Sequence, residues 1–257
     1  IEDTRELNLR ASVPLTRSMR SVQALSLAWR RSRETSSAEP APFDLGGLEL
    51  AWTLSSIKKY PYSISPVDGS RLRLAVLKED PALGSQVSLA KLYGDARVYL
   101  RLFGESDTLA LRAGGGTTLG RPTLKKSYAV GGIESRSLFD VAITNHSVLR
   151  GYPDDAFTGR SFAHANLEYR FPLLHPQRGF RSYPVFVRHL HGAVFFDAAH
   201  AWTGDFAVSD LKTGAGVALG ADLNLGHGLP FTATVGVARG FATKGEPRAY
   251  FLGRLAF

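Results

Sequence analysis

Few side chains in this 257-residue chain are placed to do chemistry. The segment Val148-Leu149-Arg150-Gly151-Tyr152-Pro153 sets a guanidinium beside a glycine and a phenol. A guanidinium is planar, stays charged and can hold a carboxylate through two parallel hydrogen bonds. Gly151 lets the backbone turn tightly or approach a wall closely. Tyr152 can pack on that wall while its hydroxyl stays wet. Taken alone, the segment reads as an exposed turn. Glu168 and Asp197 could pose as a hydrolytic acid pair. His189 and His191 lie on one strand face and could ligate a metal, but no third ligand is evident, so no metal is expected. Gly114-Gly115-Gly116 with Gly120 lacks the lysine of a phosphate loop and the acidic residue of a dinucleotide site. It reads as a glycine-rich strand end. There is no G-x-S-x-G nucleophile turn, and no cofactor is expected.

The elements that must position these residues are strands. Side chains alternate across a strand, so a period of two separates an apolar face from a polar one. Leu7, Leu9, Ala11 and Val13 alternate with Glu6, Asn8, Arg10 and Ser12. Leu48, Leu50, Trp52 and Leu54 alternate with Glu49, Ala51, Thr53 and Ser55. Over 91–102, Leu92, Gly94, Ala96, Val98, Leu100 and Leu102 oppose Lys91, Tyr93, Asp95, Arg97, Tyr99 and Arg101. Helical periodicity fits none of these runs. A soluble sandwich would bury the apolar face against a second sheet, whereas a barrel in lipid turns it outward.

The connections alternate too. Thr16-Arg17-Ser18-Met19 is a tight turn, while 31–43 reads as a long polar loop. The stretch 102–108 is short again, and 119–160 reads as a long extracellular loop, a length usually kept for function. Strands are expected near 4–15, 20–31, 46–56, 70–79, 89–103, 107–118, 162–173, 189–202, 213–224, 230–241 and 248–257. Bacterial barrels normally have an even strand number. Twelve is therefore favoured over the eleven visible, with one strand either preceding Ile1 or missed within the chain; a larger parent barrel is the alternative. The fold class expected is all-β, an antiparallel transmembrane β-barrel of the outer membrane, with residues 1–257 as a single domain.

Bulk composition agrees. Apolar residues make up 44% of the chain, with no run of 18, so a transmembrane helix is excluded. There is no cysteine, hence no disulfide framework and no thiolate metal site. The net charge of +8 is spread along the chain rather than concentrated on one element, so nucleic acid is not an expected partner. A basic lumen, or arginines meeting lipid phosphates, accounts for it better. No signal peptide is visible at Ile1, and the chain starts in mid-pattern, so it reads as a mature or excised fragment.

In order along the chain stand Val148-Leu149-Arg150-Gly151-Tyr152, Gly159, Asn166-Leu167-Glu168-Tyr169-Arg170-Phe171-Pro172-Leu173, Gly192-Ala193-Val194-Phe195-Phe196-Asp197-Ala198-Ala199 and a terminal Phe257. This series resembles the bacterial surface antigen superfamily, which includes the central subunit of the outer-membrane protein assembly machine. The family's V/I/L-R-G-Y/F motif lies on a long extracellular loop that folds back into the barrel. The resemblance implies that Arg150 reaches into the lumen and pairs with Glu168 and Asp197. An arginine between them would keep both acids ionised, which is wrong for a general acid, so no enzyme is expected. Phe195 and Phe196 belong to the family's next strand, and Phe257 matches the aromatic end of outer-membrane barrels. Ala199 stands where the family usually has glycine, which implies looser loop packing there. Tyr128-Ala129-Val130-Gly131-Gly132 resembles the family's glycines before the motif, and the loop 133–147 looks enlarged. A weaker likeness covers Trp52, Tyr60-Pro61 and Pro66-Val67-Asp68-Gly69, which a Pro/Gly hairpin explains equally well.

The resemblance implies a Gram-negative outer-membrane protein that inserts or translocates polypeptides without nucleotide. Its expected partners are outer-membrane lipid and lipopolysaccharide, unfolded client polypeptides and periplasmic modules upstream in the parent chain. A weakly paired seam between first and last strand, softened near Gly253, would open laterally. The alternatives are a passive anion-preferring channel and a structural barrel anchoring an upstream soluble domain. Breaking a buried charge pair costs roughly 3–5 kcal/mol, and a wet lumen would hold the Arg150 pair well below that.

Overall fold

Period-two alternation becomes strand after strand. The computed structural model describes residues 2–36, 39–60, 63–104, 106–120, 128–133, 149–179, 183–226 and 228–255. Six long strands come first: β1 (Glu2–Arg17), β2 (Val22–Ser36), β3 (Glu39–Ser55), β4 (Gly69–Glu79), β5 (Leu89–Arg101) and β6 (Thr108–Gly120). Two short ones, β7 (Tyr128–Val130) and β8 (Phe157–Gly159), pair with each other. Then come β9 (Ser161–Leu174), the two-residue β10 (Arg178–Gly179), β11 (Val185–Trp202), β12 (Lys212–Leu225), β13 (Leu229–Gly240) and β14 (Pro247–Leu255). The antiparallel order is β1-β2-β3-β4-β5-β6-β9-β11-β12-β13-β14, with β10 pairing beside β11. All eleven expected strands are present among the described residues, and β10 makes the sheet twelve-stranded. No described helix is long and apolar enough to cross a membrane.

The stretch 31–43, read from sequence as a loop, is mostly a hairpin. β2 runs to Ser36 and β3 starts at Glu39, pairing through Arg33↔Asp44 and Ser36↔Glu39 with a register shift between Glu34 and Ser36. Backbone ladder bonds are indifferent to side-chain polarity, and opposite charges across strands support them. Arg33 Nε lies 3.7 Å from Asp44 Oδ1. The long loop 119–160 likewise has structure of its own. Tyr128↔Gly159 and Val130↔Phe157 pair, and the alternate residues Tyr128 and Val130 are buried.

The chain divides into two compact units. The first comprises 1–56, 71–96 and 114–127, and the second 57–70, 97–113 and 128–257. Each is inside-out relative to a soluble protein. In the first, Leu48 and Leu50 are exposed while Glu49 between them is 2% exposed. In the second, Val194 and Phe196 are exposed while Phe195 and Asp197 are buried. Apolar-out, polar-in alternation is the pattern of a strand in lipid.

In the first unit, Glu49 on β3 accepts a 2.6 Å hydrogen bond from Arg73 Nη2 on β4, with Arg30 of β2 4.0 Å away. Residues 80–88 fold back on the end of β3. Asp80 caps a 3-10 turn by accepting from Ala82 N, and Gln86 N donates to Asp44 O. The bond from Ala82 N, with one from the Ser88 hydroxyl, holds the Asp80 carboxyl below its usual range. The second unit has a small apolar cluster of Ala193, Phe195, Ala218 and Ala238, flanked by Tyr250.

Candidate functional site

The second unit builds its polar centre from register. Antiparallel pairing places Asp197 of β11 opposite Asn166 of β9 on one side and Gly214 of β12 on the other. Two residues along, Phe195 stands opposite Glu168 and Gly216. Alternation then turns Asn166, Glu168, Phe195 and Asp197 toward one face, and Phe196 toward the other. The result is two carboxylates on neighbouring strands flanking an aromatic ring.

Arg150 fills that frame. Its Nε donates to Asp197 Oδ2 at 2.7 Å and its Nη2 to Asp197 Oδ1 at 2.7 Å, the bidentate fork. Nη1 donates to Glu168 Oε2 at 2.9 Å. The Arg150 backbone N–H adds a 3.1 Å bond to Asp197 Oδ2, and Asn166 Nδ2 donates to Oδ1 at 2.9 Å. Asp197 thus accepts four hydrogen bonds, which uses the capacity of a carboxylate. Glu168 is shared with Arg170, whose Nε donates at 2.7 Å. The Arg150 guanidinium carbon lies 3.3 Å from the Phe195 ring centroid, a cation–π contact.

The pair is largely enclosed, although Arg150 and Glu168 also line a cavity. Asp197 is 0% exposed and Arg150 9%. Burial opposes the Arg150 charge, but the bond to Asp197 and the charges of Asp197 and Glu168 outweigh it. They hold the guanidinium above its ordinary value.

Glycines form the floor on which the motif rests. Gly151 has φ +86°, and a Cβ there would collide with Gly240 N and Arg239. A Cβ on Gly214 would strike Arg150 O, and one on Gly240 would meet the Tyr152 ring at 2.6 Å. Tyr152 is fully buried. Its hydroxyl donates to Thr213 O at 2.8 Å and accepts from Ala242 N at 3.0 Å, tying the motif to the start of β12 and to the β13–β14 turn. Glu246 N donates to Gly151 O, and Leu149, also fully buried, bridges to Gly132.

The structure therefore brings Leu149, Arg150, Gly151, Tyr152, Glu168, Phe195 and Asp197 together. It points Phe196 the other way. Val148, Phe257 and the enlarged segment 134–147 lie outside the described residues. Ala199, expected to loosen the seat, is fully buried on the Asp197 face, so its methyl is accommodated. His189 and His191 approach Asp222 at 3.6 and 3.8 Å, and no metal-ligand cluster occurs among the described residues. Sequence reasoning named Asn166 and Arg170 only as strand-motif residues and missed the glycine floor. The alternate glycines Gly214 and Gly216 on one strand face were the available signal for close approach.

No curated protein matches the chain. Among solved structures, BamA from Haemophilus ducreyi lacking POTRA domains 1–3 is similar with a TM-score of 0.62 at 14% identity, over 99% of this chain and 55% of that one. CdiB from Acinetobacter baumannii is similar with a TM-score of 0.64 at 11% identity, over 99% of this chain and 42% of that one. The likeness is one of fold, the β-barrel, and the chain spans about half the length of these structures. A family model, the Omp85 superfamily domain, matches residues 5–238. The chain belongs to the Omp85 superfamily.

Proposed function

We propose that this chain takes part in inserting or translocating polypeptides at the bacterial outer membrane. The observation that carries the reading is the seating of Arg150 on Asp197 and Glu168, which fastens a long loop to two strands. Family membership and the outward apolar faces support the membrane setting. On this reading the role is non-catalytic: the hydrogen-bonded ion cluster holds a loop. β1 and β14 stand at the two ends of the strand order, and strand edges can template an incoming strand through backbone hydrogen bonds. Partners on this reading are outer-membrane lipid and lipopolysaccharide, unfolded client polypeptides and periplasmic modules of a longer parent chain.

The test is the folding rate of an unfolded client barrel into liposomes, with and without the pre-inserted protein. Acceleration that Arg150→Ala removes is the expected result. No acceleration, from either this chain or a parent chain with its upstream modules, would overturn the reading.

A further inference from the structure

Beside the Arg150 cluster, the second unit contains a cavity of about 370 Å³ whose lining is strongly basic. Lys59, Arg97, Arg112, Arg150, Arg170 and Arg254 line it, against the carboxylates of Glu168 and Asp222. Both acids are already engaged. Glu168 accepts from Arg150 and Arg170, and Asp222 accepts a 2.6 Å bond from the Thr232 hydroxyl beside His189 and His191. With Asp197, which holds Arg150, six cationic side chains of this lining stand against three carboxylates. Walls of low dielectric focus such a field and concentrate counter-ions within.

The space is made by small residues. Ala193, Ala218 and Gly220 form part of the wall on β11 and β12. A Cβ on Gly220 would collide with the His191 ring. The cations arrive from separate elements: the β3–β4 connection, β5, β6, β9, β14 and the motif loop. A planar carboxylate is satisfied by one guanidinium fork, as Asp197 already is. Cations converging from several walls suit a tetrahedral anion whose oxygens point several ways.

We propose that this cavity is a binding site for a compact phosphate-type anion bearing more than one negative charge. The inference stands independently of client handling, since it concerns a ligand of the cavity.

The experiment is calorimetric titration of the detergent-folded protein with inorganic pyrophosphate at low ionic strength. Folding of each variant is verified by heat-modifiable electrophoretic mobility. Arg112→Gln and Arg254→Gln should each weaken binding by about tenfold, the size of one charge-assisted hydrogen bond. Ala218→Leu, which narrows the cavity and leaves every charge in place, should weaken it. Arg254→Lys, which keeps the charge, should retain most of it. Arg178→Gln, an exposed cation away from the cavity, should change nothing. No binding by the unaltered protein would overturn the proposal. So would equal losses in Arg178→Gln and Arg254→Gln, or full binding by Ala218→Leu. In liposomes, displacement of pyrophosphate by phosphatidic acid, a phosphomonoester, but not by phosphatidylcholine would assign the phosphate to a lipid headgroup. Indifference to the lipid would assign it to a free ion.

Discussion

The two units each bury an ion cluster, and they build it in opposite ways. In the first, one acid, Glu49, serves two arginines from the strands on either side, Arg30 and Arg73. In the second, one arginine, Arg150, serves two acids, Glu168 and Asp197. The first cluster needs only strand register, because all three residues ride on β2, β3 and β4. The second needs a loop to return and seat itself, so its energy reports loop docking. Exposure differs in the same sense. The side chains of Arg30 and Arg73 are 16% and 18% exposed and keep some water, while Asp197 keeps none. An ion cluster within a sheet stabilises what is already paired; one that spans loop and sheet decides whether the loop is docked.

The sharpest way to break this contrast is Arg150→Lys. A lysine keeps the charge but loses the fork, so three directed bonds cannot all be remade. We expect loop docking to weaken by about 2–3 kcal/mol, as for hydrogen bonds between charged groups. Hydrogen exchange over 149–152 should rise accordingly, while the unfolding midpoint of the strands barely moves. Next in size is Tyr152→Phe, which leaves the carbonyl of Thr213 and the N–H of Ala242 without the hydroxyl. A loss of about 1–2 kcal/mol is expected, read as faster exchange at the Ala242 amide. Glu49→Gln should cost about 1 kcal/mol, because its arginines can reach water. It should lower the urea midpoint of the whole sheet and leave exchange over 149–152 unchanged. Accelerated loop exchange in that variant would dissolve the distinction between the units.

The smallest effect is expected at an exposed pair within the second unit. Lys58 Nζ lies 3.1 Å from Asp68 Oδ2 in the connection before β4. That bond, with one from Gly69 N, depresses the Asp68 carboxyl below its ordinary 3.8. A depressed acid stabilises the fold above its unfolded pKa and ceases to do so as pH falls through its folded value. Protection of the bridged Lys58 and Val67 amides, relative to their intrinsic exchange rate at each pH, should therefore fall only below about pH 4. Protection lost near neutrality would show that the pair is not what holds this connection.

The strands were legible because each declares itself locally: Leu48, Glu49 and Leu50 alternate whatever lies beside them. Arg150, Glu168 and Asp197 were legible as an ordered series of motifs. What lies beyond them depends on register, which a single sequence does not carry. Gly214 and Gly240 matter because they pair with each other beneath the motif. Asn166 matters because it stands opposite Asp197. The hairpin beyond Arg31 was missed because its residues are polar, and ladder bonds leave no mark in hydropathy. The burial of the Arg150 pair was missed because it follows from loop docking, which hydropathy does not record.

The most direct test of the account is a double-mutant cycle of Arg150→Ala and Asp197→Ala, read as hydrogen exchange over 149–152 in liposomes. If the fork holds the loop, each single variant deprotects it strongly and the double variant adds little, giving a coupling of about 2–3 kcal/mol. Additive effects, or loop protection unchanged in either single variant, would contradict the claim that this ion cluster seats the loop.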